Sequence, residues 1–279
     1  MSIPESPRTV VTGAAGGLGR AFCLALAERG AKILIADRDV AGAEETARQV
    51  GERGGSGHAV ACDVSRPHDV ESLVARADTK LGGIDLLINN AGVAVGGPVG
   101  EIPLHDWEWI TGINLWGVIY GCHYFLPRLK AQRCGHILNV ASAAGLLSAP
   151  EMAPYNVTKA GVVALSETLA GELHGSGVGV TVLCPTFFQT NIMVSSRRAV
   201  LDEELESVVA QRMASSSIQA DGVARAALKG CDSNALYVVP MSDGKWAWRM
   251  KRLAPERYYA TMPRVIAAMR RRAKKSPKS

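Results

Sequence analysis

Along the chain, short runs rich in β-branched and aliphatic residues alternate with longer segments whose apolar positions recur every three to four residues. Residues 8–12 (RTVVT), 31–36 (AKILIA), 58–62, 84–89, 135–140, 178–184 (VGVTVLC) and 235–240 read as strands. Between them, helical periodicity runs from the first glycine turn to Arg29 and over residues 40–53, 67–81, 104–130, 154–174 and 219–230. Strands that alternate with helices at this spacing predict an α/β fold, a doubly wound parallel sheet (Rossmann fold) of about seven strands with helices on both faces. Residues 92–103 read as a glycine-rich loop, 143–154 as an apolar loop, and 192–217 as an irregular helical excursion.

Length and composition fit one large domain over residues 1–244, followed by a tail over 245–279. The 279 residues are 47% hydrophobic, enough for a substantial core. The most apolar segment, residues 110–126, is interrupted by Asn114 and His123 and reads as a buried helix rather than a membrane span. No signal peptide is expected. Six cysteines without a CxxC pair or a histidine at ligand spacing argue against zinc and secreted disulfides, so a reducing cytoplasm is the expected compartment and no metal is expected.

The net charge of +5 is unevenly placed. Twelve of the 31 Lys and Arg lie from Lys245 onward against one acid, Glu256, so the tail carries +11 and the rest of the chain −6. With Trp246, Trp248, Tyr258 and Tyr259 among these charges, the tail reads as a surface arm, or as a segment that lies on an anionic membrane; aromatics among Lys and Arg can also contact nucleic acid, but no nucleic-acid partner is expected. Residues 270–279 have the composition of a disordered end.

Chemistry concentrates at strand ends. After the first strand comes Gly13-Ala14-Ala15-Gly16-Gly17-Leu18-Gly19, leading into a helix. In that context, glycines let the backbone approach a pyrophosphate that helix N–H groups then stabilise; an ordinary flexible turn is the alternative. Asp37, ending the second strand, can accept hydrogen bonds from an adenosine ribose and would repel a 2′-phosphate, which favours NAD over NADP; Arg38 either offsets this in part or is a solvated charge. Asp63 and Asn90-Ala91-Gly92 follow the third and fourth strands, as ligand contacts or as turn formers. Asn114 sits in an apolar helix and needs partners there.

The fifth strand delivers Ser142, and Tyr155 and Lys159 follow on one face of the next helix, four residues apart. An ammonium about 4 Å from a phenol, at an effective dielectric near ~20, supplies roughly 4 kcal/mol in favour of the phenolate, nominally about three pKa units. This lysine is therefore expected to make Tyr155 acidic enough for proton transfer near neutrality, with Ser142 holding a substrate oxygen against the phenol. Val93, Val95, Leu146, Leu147, Met152, Phe187 and Met193 surround these positions and predict a pocket for a lipophilic alcohol or ketone, steroid-like, terpenoid or aryl; packing of the core is the other reading of such residues.

These residues resemble the short-chain dehydrogenase/reductase family over about residues 6–243. The matches are Thr12-Gly13-x-x-x-Gly17-x-Gly19, Asp37, Asp63, Asn89-Asn90-Ala91-Gly92, Asn114, Ser142, Tyr155-x-x-x-Lys159, and Pro185 with Thr190. The resemblance implies a general acid/base in Tyr155, a substrate-positioning Ser142, and a Lys159 that binds nicotinamide ribose and lowers the tyrosine pKa. Asn114 would hold a water of the proton relay. It further implies that Gly13, Gly17, Leu18 and Gly19 surround the pyrophosphate, that Asp63 and Val64 lie by the adenine, that Asn90, Ala91 and Gly92 line the groove, and that Phe188 and Thr190 meet the carboxamide.

The implied reaction interconverts a secondary alcohol and a ketone with NAD or NADP. A 3-oxoacyl thioester reductase, helped by a basic pocket rim, and a non-catalytic NAD(H) sensor are the alternatives. Pairing through helices 104–130 and 152–174 into a homodimer or homotetramer is also implied. Two departures stand out: Pro185-Thr186 replaces the family's frequent Pro-Gly, and the tail beyond Met241 is longer and more basic than in the tetrameric members.

Overall fold

The computed structural model describes residues 3–190, 192, 197–198 and 210–275. Strands β1 (Arg8–Thr12), β2 (Lys32–Asp37), β3 (Ser56–Ala61), β4 (Leu86–Asn89), β6 (Gly135–Val140), β7 (Val178–Leu183) and β9 (Tyr237–Val238) form a 7-stranded parallel sheet in the order β3-β2-β1-β4-β6-β7-β9. A separate parallel pair joins β5 (Val95–Gly96) to β8 (Arg197–Arg198). The helices are α1 (Gly17–Ala27), α2 (Val40–Glu52), α3 (Pro67–Leu81), α4 (Leu104–Thr111), α5 (Gly117–Gln132), α6 (Ala143–Leu147), α7 (Ala153–Glu172), α8 (Ala220–Asp232), α9 (Ser242–Leu253) and α10 (Pro255–Lys275).

The central strands carry apolar residues at consecutive positions because both faces are covered. Neighbours along a strand point to opposite cores. Val10, Leu34, Leu87 and Ile137 meet Leu73, Phe125, Leu129, Val162 and Leu169 from α3, α5 and α7. Val11, Ile33, Ile35, Ile88 and Leu138 meet Phe22, Leu26, Val223 and Leu228 from α1 and α8. Local signals set the helix ends: the Asp39 carboxylate accepts from Gly42 N–H at the start of α2, and Pro67 opens α3 while Gly82, at φ 78°, closes it.

Several elements differ from the sequence pattern. The helix expected over 104–130 is broken into α4, a π-helical turn over Gly112–Trp116, and α5. That turn carries Asn114, and such turns mark positions where a side chain must be aimed. Residues 143–154, read as a loop, begin with the short helix α6. Strands expected at 84–89 and 235–240 are confined to Leu86–Asn89 and Tyr237–Val238. Most of the excursion at 192–217 lies outside the described residues. The end expected to be disordered from residue 270 is helical as far as Lys275.

Candidate active site

The sheet order reverses between β1 and β4, so their carboxyl ends open a crevice instead of being bridged by a crossover. Thr12 ties the two ends together: its Oγ1 accepts from Asn90 N–H at 3.1 Å and Ala91 N–H at 3.2 Å. Asn90 Nδ2 donates in return to the carbonyls of Thr12 and Gly13, each at 2.9 Å. Thr12 and Asn90 therefore fix the shape of the glycine turn, and Thr12 itself lies behind the cavity wall. Gly13 has φ +65°, and a Cβ there would fall 2.6 Å from Ala91 Cα; one on Gly19 would fall 2.1 Å from the Gly13 carbonyl. Since backbone cannot yield at such distances, Gly19→Ala is expected to cost about 3 kcal/mol or more. Thermal unfolding and NAD titration of that variant check both stability and cofactor binding.

α1 begins at this turn with Gly16 as its cap, no capping side chain and no acid in the first turn. Its first N–H groups are thus available to an anion. Asp37 lies across the crevice, Oδ2 accepting from Ala15 N–H at 2.9 Å and Oδ1 from Asp39 N–H at 3.0 Å. These bonds hold the carboxylate in place and leave lone pairs for ribose hydroxyls. With Gly13, Gly17, Leu18, Gly19, Arg38, Asp63, Val64, Asn90, Ala91 and Gly92 on the same cavity wall, the residues present fit a dinucleotide. The anion cradle would take the pyrophosphate and Asp37 the adenosine ribose.

Deeper in the crevice, two residues past the end of β6, Ser142 caps α6 by accepting from Ala144 N–H at 3.1 Å. The short helix is pressed onto α7: a Cβ on Gly145 would lie 2.6 Å from the Lys159 backbone. This close approach brings Ser142 to the face of α7 that carries Tyr155 and Lys159, both buried. Lys159 Nζ donates to the Val140 carbonyl at 2.8 Å and lies 5.8 Å from the centre of the Tyr155 ring. Asn114 is completely buried, its Oδ1 accepting from Val93 N–H at 2.8 Å and its Nδ2 donating to Val93 O at 2.9 Å and to Thr158 Oγ1 at 3.3 Å. It stands behind the cavity wall, where it holds the strand-end backbone beside Gly92.

Charge at the site differs from expectation. Burial raises the Tyr155 pKa above its ordinary value, and the Ser142 hydroxyl opposes this only in part. Burial also lowers Lys159 to about 8. Desolvation thus outweighs the attraction that spacing alone had implied, and at neutral pH the protein presents a neutral phenol beside a charged amine.

The crevice opens into one continuous cavity of about 1260 Å³. Ser142, Tyr155, Lys159, Pro185, Phe188 and Thr190 line it, as do Val93, Val95, Leu147, Met152 and Phe187. Leu146 does not: it is buried in the core, against which Leu147 also packs, and its carbonyl accepts from Lys251 Nζ at 2.7 Å. Met193 lies outside the described residues. Trp109 and Ile113 also line the wall, and so do residues of both carboxy-terminal helices. The Arg197 guanidinium stacks 4.1 Å from the Trp109 ring and pairs at 3.1 Å with the buried Asp106, which pins β8 to α4. An acid buried on a helix facing a distant arginine was the available signal, but only the fold brings the two together.

A glycine turn at a helix N-terminus, an acid ending β2 and a Ser-Tyr-Lys cluster at the switch point define a dinucleotide-dependent oxidoreductase. Residues 8–200 match the family model described as short chain dehydrogenase, and the chain belongs to that family. It is 38% identical over 185 residues to a CLA biosynthesis dehydrogenase/reductase of Lactiplantibacillus plantarum, a match covering 65% of each chain. It is 31% identical over 249 residues to a C alpha-dehydrogenase of Sphingobium, covering 84% of this chain and 80% of the relative. Against probable oxidoreductase EphD of Mycobacterium tuberculosis the match spans only 32% of the relative's length.

Among solved structures, a short chain dehydrogenase/reductase from Burkholderia phymatum in complex with NAD superposes with a TM-score of 0.83 at 33% identity, over 89% of this chain and 93% of that one. The apo form of LigD from Sphingobium superposes with a TM-score of 0.75 at 27% identity, over 88% and 94%. Among the described residues, no helix is long and apolar enough to cross a membrane, and no group of three or more His, Cys, Asp or Glu is placed to hold a metal.

Proposed function

We propose that the protein interconverts a lipophilic secondary alcohol and its ketone, with NAD preferred over NADP. The observation that carries this reading is the joining of the Ser142, Tyr155 and Lys159 cluster to the dinucleotide cradle within one cavity whose remaining wall is largely apolar. In the oxidative direction the Tyr155 oxygen, as phenolate, takes the hydroxyl proton of the alcohol, Ser142 holds that oxygen, and the carbinol hydrogen leaves as hydride. Bound NAD supplies the hydride acceptor at its nicotinamide ring. In reduction, neutral Tyr155 gives its proton to the carbonyl oxygen as that carbon receives hydride. Asn114, through its grip on Val93, is a positioning residue for this wall.

Turnover of a panel of cyclic, aryl and 3-oxoacyl ketones with both coenzymes tests the reading; NADH binding without hydride transfer to any of them would favour a sensor instead. In the same assay, Asp37→Ala is expected to shift the NADP to NAD ratio of kcat/KM upward by about tenfold or more, since the carboxylate that meets the ribose and repels a 2′-phosphate is gone. An unchanged ratio would remove Asp37 from coenzyme selection.

One observation favours a second substrate class. Arg212 and Arg257 line the cavity, and neither has an ion-pair partner among the described residues. A basic rim of this kind suits an acyl thioester whose carrier bears phosphates, and the 3-oxoacyl arm of the panel separates the two.

For assembly, Leu104, Trp116 and Val157 are exposed on α4, the π turn and α7, with Trp116 stacked 5.5 Å from Tyr120. Pairing of two copies through this face gives a homodimer or homotetramer, readable by light scattering.

A further inference from the structure

Of the two carboxy-terminal helices, α9 is anchored to the rest of the fold at three points, and α10 packs on α9. Thr186 Oγ1 donates to Asp243 Oδ1 at 3.2 Å, and Gly244 lies so near Thr186 that a Cβ there would approach its methyl group to 2.6 Å. Lys251 Nζ donates to the Leu146 carbonyl at 2.7 Å and to Ser148 Oγ at 3.4 Å. Trp248 packs on Tyr237 with ring centres 4.9 Å apart. Two of these anchors flank Ser142 directly: Leu146 belongs to the helix it caps, and Thr186 follows the strand beside it. Thr186 is also the residue that departs from the family's Pro-Gly.

So held, α9 turns Trp246 and Met250, four residues apart, into the cavity that contains Tyr155. α10 adds Tyr258, Thr261, Met262 and Val265, whose spacing of three and four residues defines one helical face. Trp246 is 66% exposed and Met250 37%, whereas Tyr258 and Met262 are half-buried. Apolar groups in such a position find cover only when something fills the cavity. Sites for a single drug-sized ligand occupy about 300–1,000 Å³. The cavity here, about 1260 Å³, exceeds that range and accommodates a dinucleotide together with a second, sizeable molecule.

We propose that α9 and α10 form the outer wall of the substrate subsite, and that Trp246, Met250, Tyr258 and Met262 select substrates with a bulky, flat apolar body over small alcohols and ketones. The inference rests on the assignment of Tyr155 and Ser142 as the reacting end of that subsite. Among the described basic residues of the tail, Arg257 lines the cavity with these apolar side chains, whereas Lys245, Arg249, Lys251, Arg252 and Arg264 do not, so a largely apolar wall and a basic composition belong to the same two helices.

The test compares cyclohexanone with 4-phenylcyclohexanone, which share a reacting centre and differ in one ring. The full-length enzyme is assayed with NADH beside Trp246→Ala, Trp246→Phe and the double variant Tyr258→Ala/Met262→Ala, with NADH titration and thermal melting to show that each is folded. The wild type is expected to favour the larger ketone. Trp246→Ala and the double variant should each lower that preference by about tenfold, mainly through KM, while Trp246→Phe keeps most of it. A preference unchanged in both Ala variants would overturn the proposal. If the wild type binds NADH but reduces neither ketone, the assignment of Tyr155 fails by itself. Calorimetric binding of 4-phenylcyclohexanol to the NAD-saturated proteins then decides the wall: weaker binding in the variants supports it, and equal binding overturns it.

Discussion

Replacing Tyr155 with Phe is expected to lower hydride transfer by about a thousandfold or more while leaving the dissociation constant for NADH within a factor of about two, given the 10²–10⁴ ordinarily supplied by a positioned general acid or base. The change removes one oxygen from a buried ring and leaves its shape, so the packing of Val93, Val95 and Ile110 around it is conserved. It takes away the proton that must reach the carbonyl oxygen as hydride arrives. Two measurements are needed together: single-turnover oxidation of NADH by a ketone that the wild type reduces, and fluorescence titration of NADH. A variant that binds the cofactor and still turns over at a tenth of the wild-type rate would remove Tyr155 from proton transfer and leave Ser142 as the only hydroxyl of the cluster.

That Tyr155, Ser142 and Lys159 belong together was legible because two of them are four residues apart on one helix and the third closely follows a strand. A parallel sheet covered on both faces followed from the alternation of apolar runs with helical periodicity, since parallel strands buried on both faces leave a continuous apolar signature. Finer features were lost where burial, not sequence spacing, decides. Leu146 and Leu147 are equivalent in an apolar stretch; once α6 forms, both pack on the core and only Leu147 also reaches the cavity. The π turn at Asn114 has no local mark beyond flanking glycines, and the two bonds that Asn114 makes to Val93 are tertiary. The tail had a readable clue in the spacing of Tyr258, Thr261, Met262 and Val265, but composition pointed to a solvated arm, because nothing in the chain says that the opposite wall is a cavity. Thr186 is the converse: a departure visible in the sequence whose meaning came only with its bond to Asp243.

The electrostatics lead to the second large effect, at Lys159. In the folded protein the amine titrates near 8 instead of 10.5, so the folded state carries a desolvation penalty whenever the amine is charged. A depression of that size corresponds to about 3 kcal/mol. The penalty is fully present below about pH 8 and disappears as pH rises from about 8 towards 10.5, where the unfolded chain also loses the proton. Lys159→Met removes the penalty but leaves the Val140 carbonyl without its donor, a cost of about 1–3 kcal/mol. At pH 7 the variant is therefore expected to match the wild type or exceed it by up to about 2 kcal/mol in denaturant unfolding, and this advantage should vanish by about pH 10.5. Its activity moves the other way. Without the charge beside Tyr155, and without the ammonium that the family resemblance assigns to the nicotinamide ribose, turnover should fall by about a hundredfold or more. In the wild type the neutral phenol and charged amine suit proton donation, so ketone reduction should be level through neutrality and decline above about pH 8 as Lys159 is neutralised. A reduction profile level to pH 10, together with a Met variant as active as the wild type, would show that the ammonium plays no part in the chemistry.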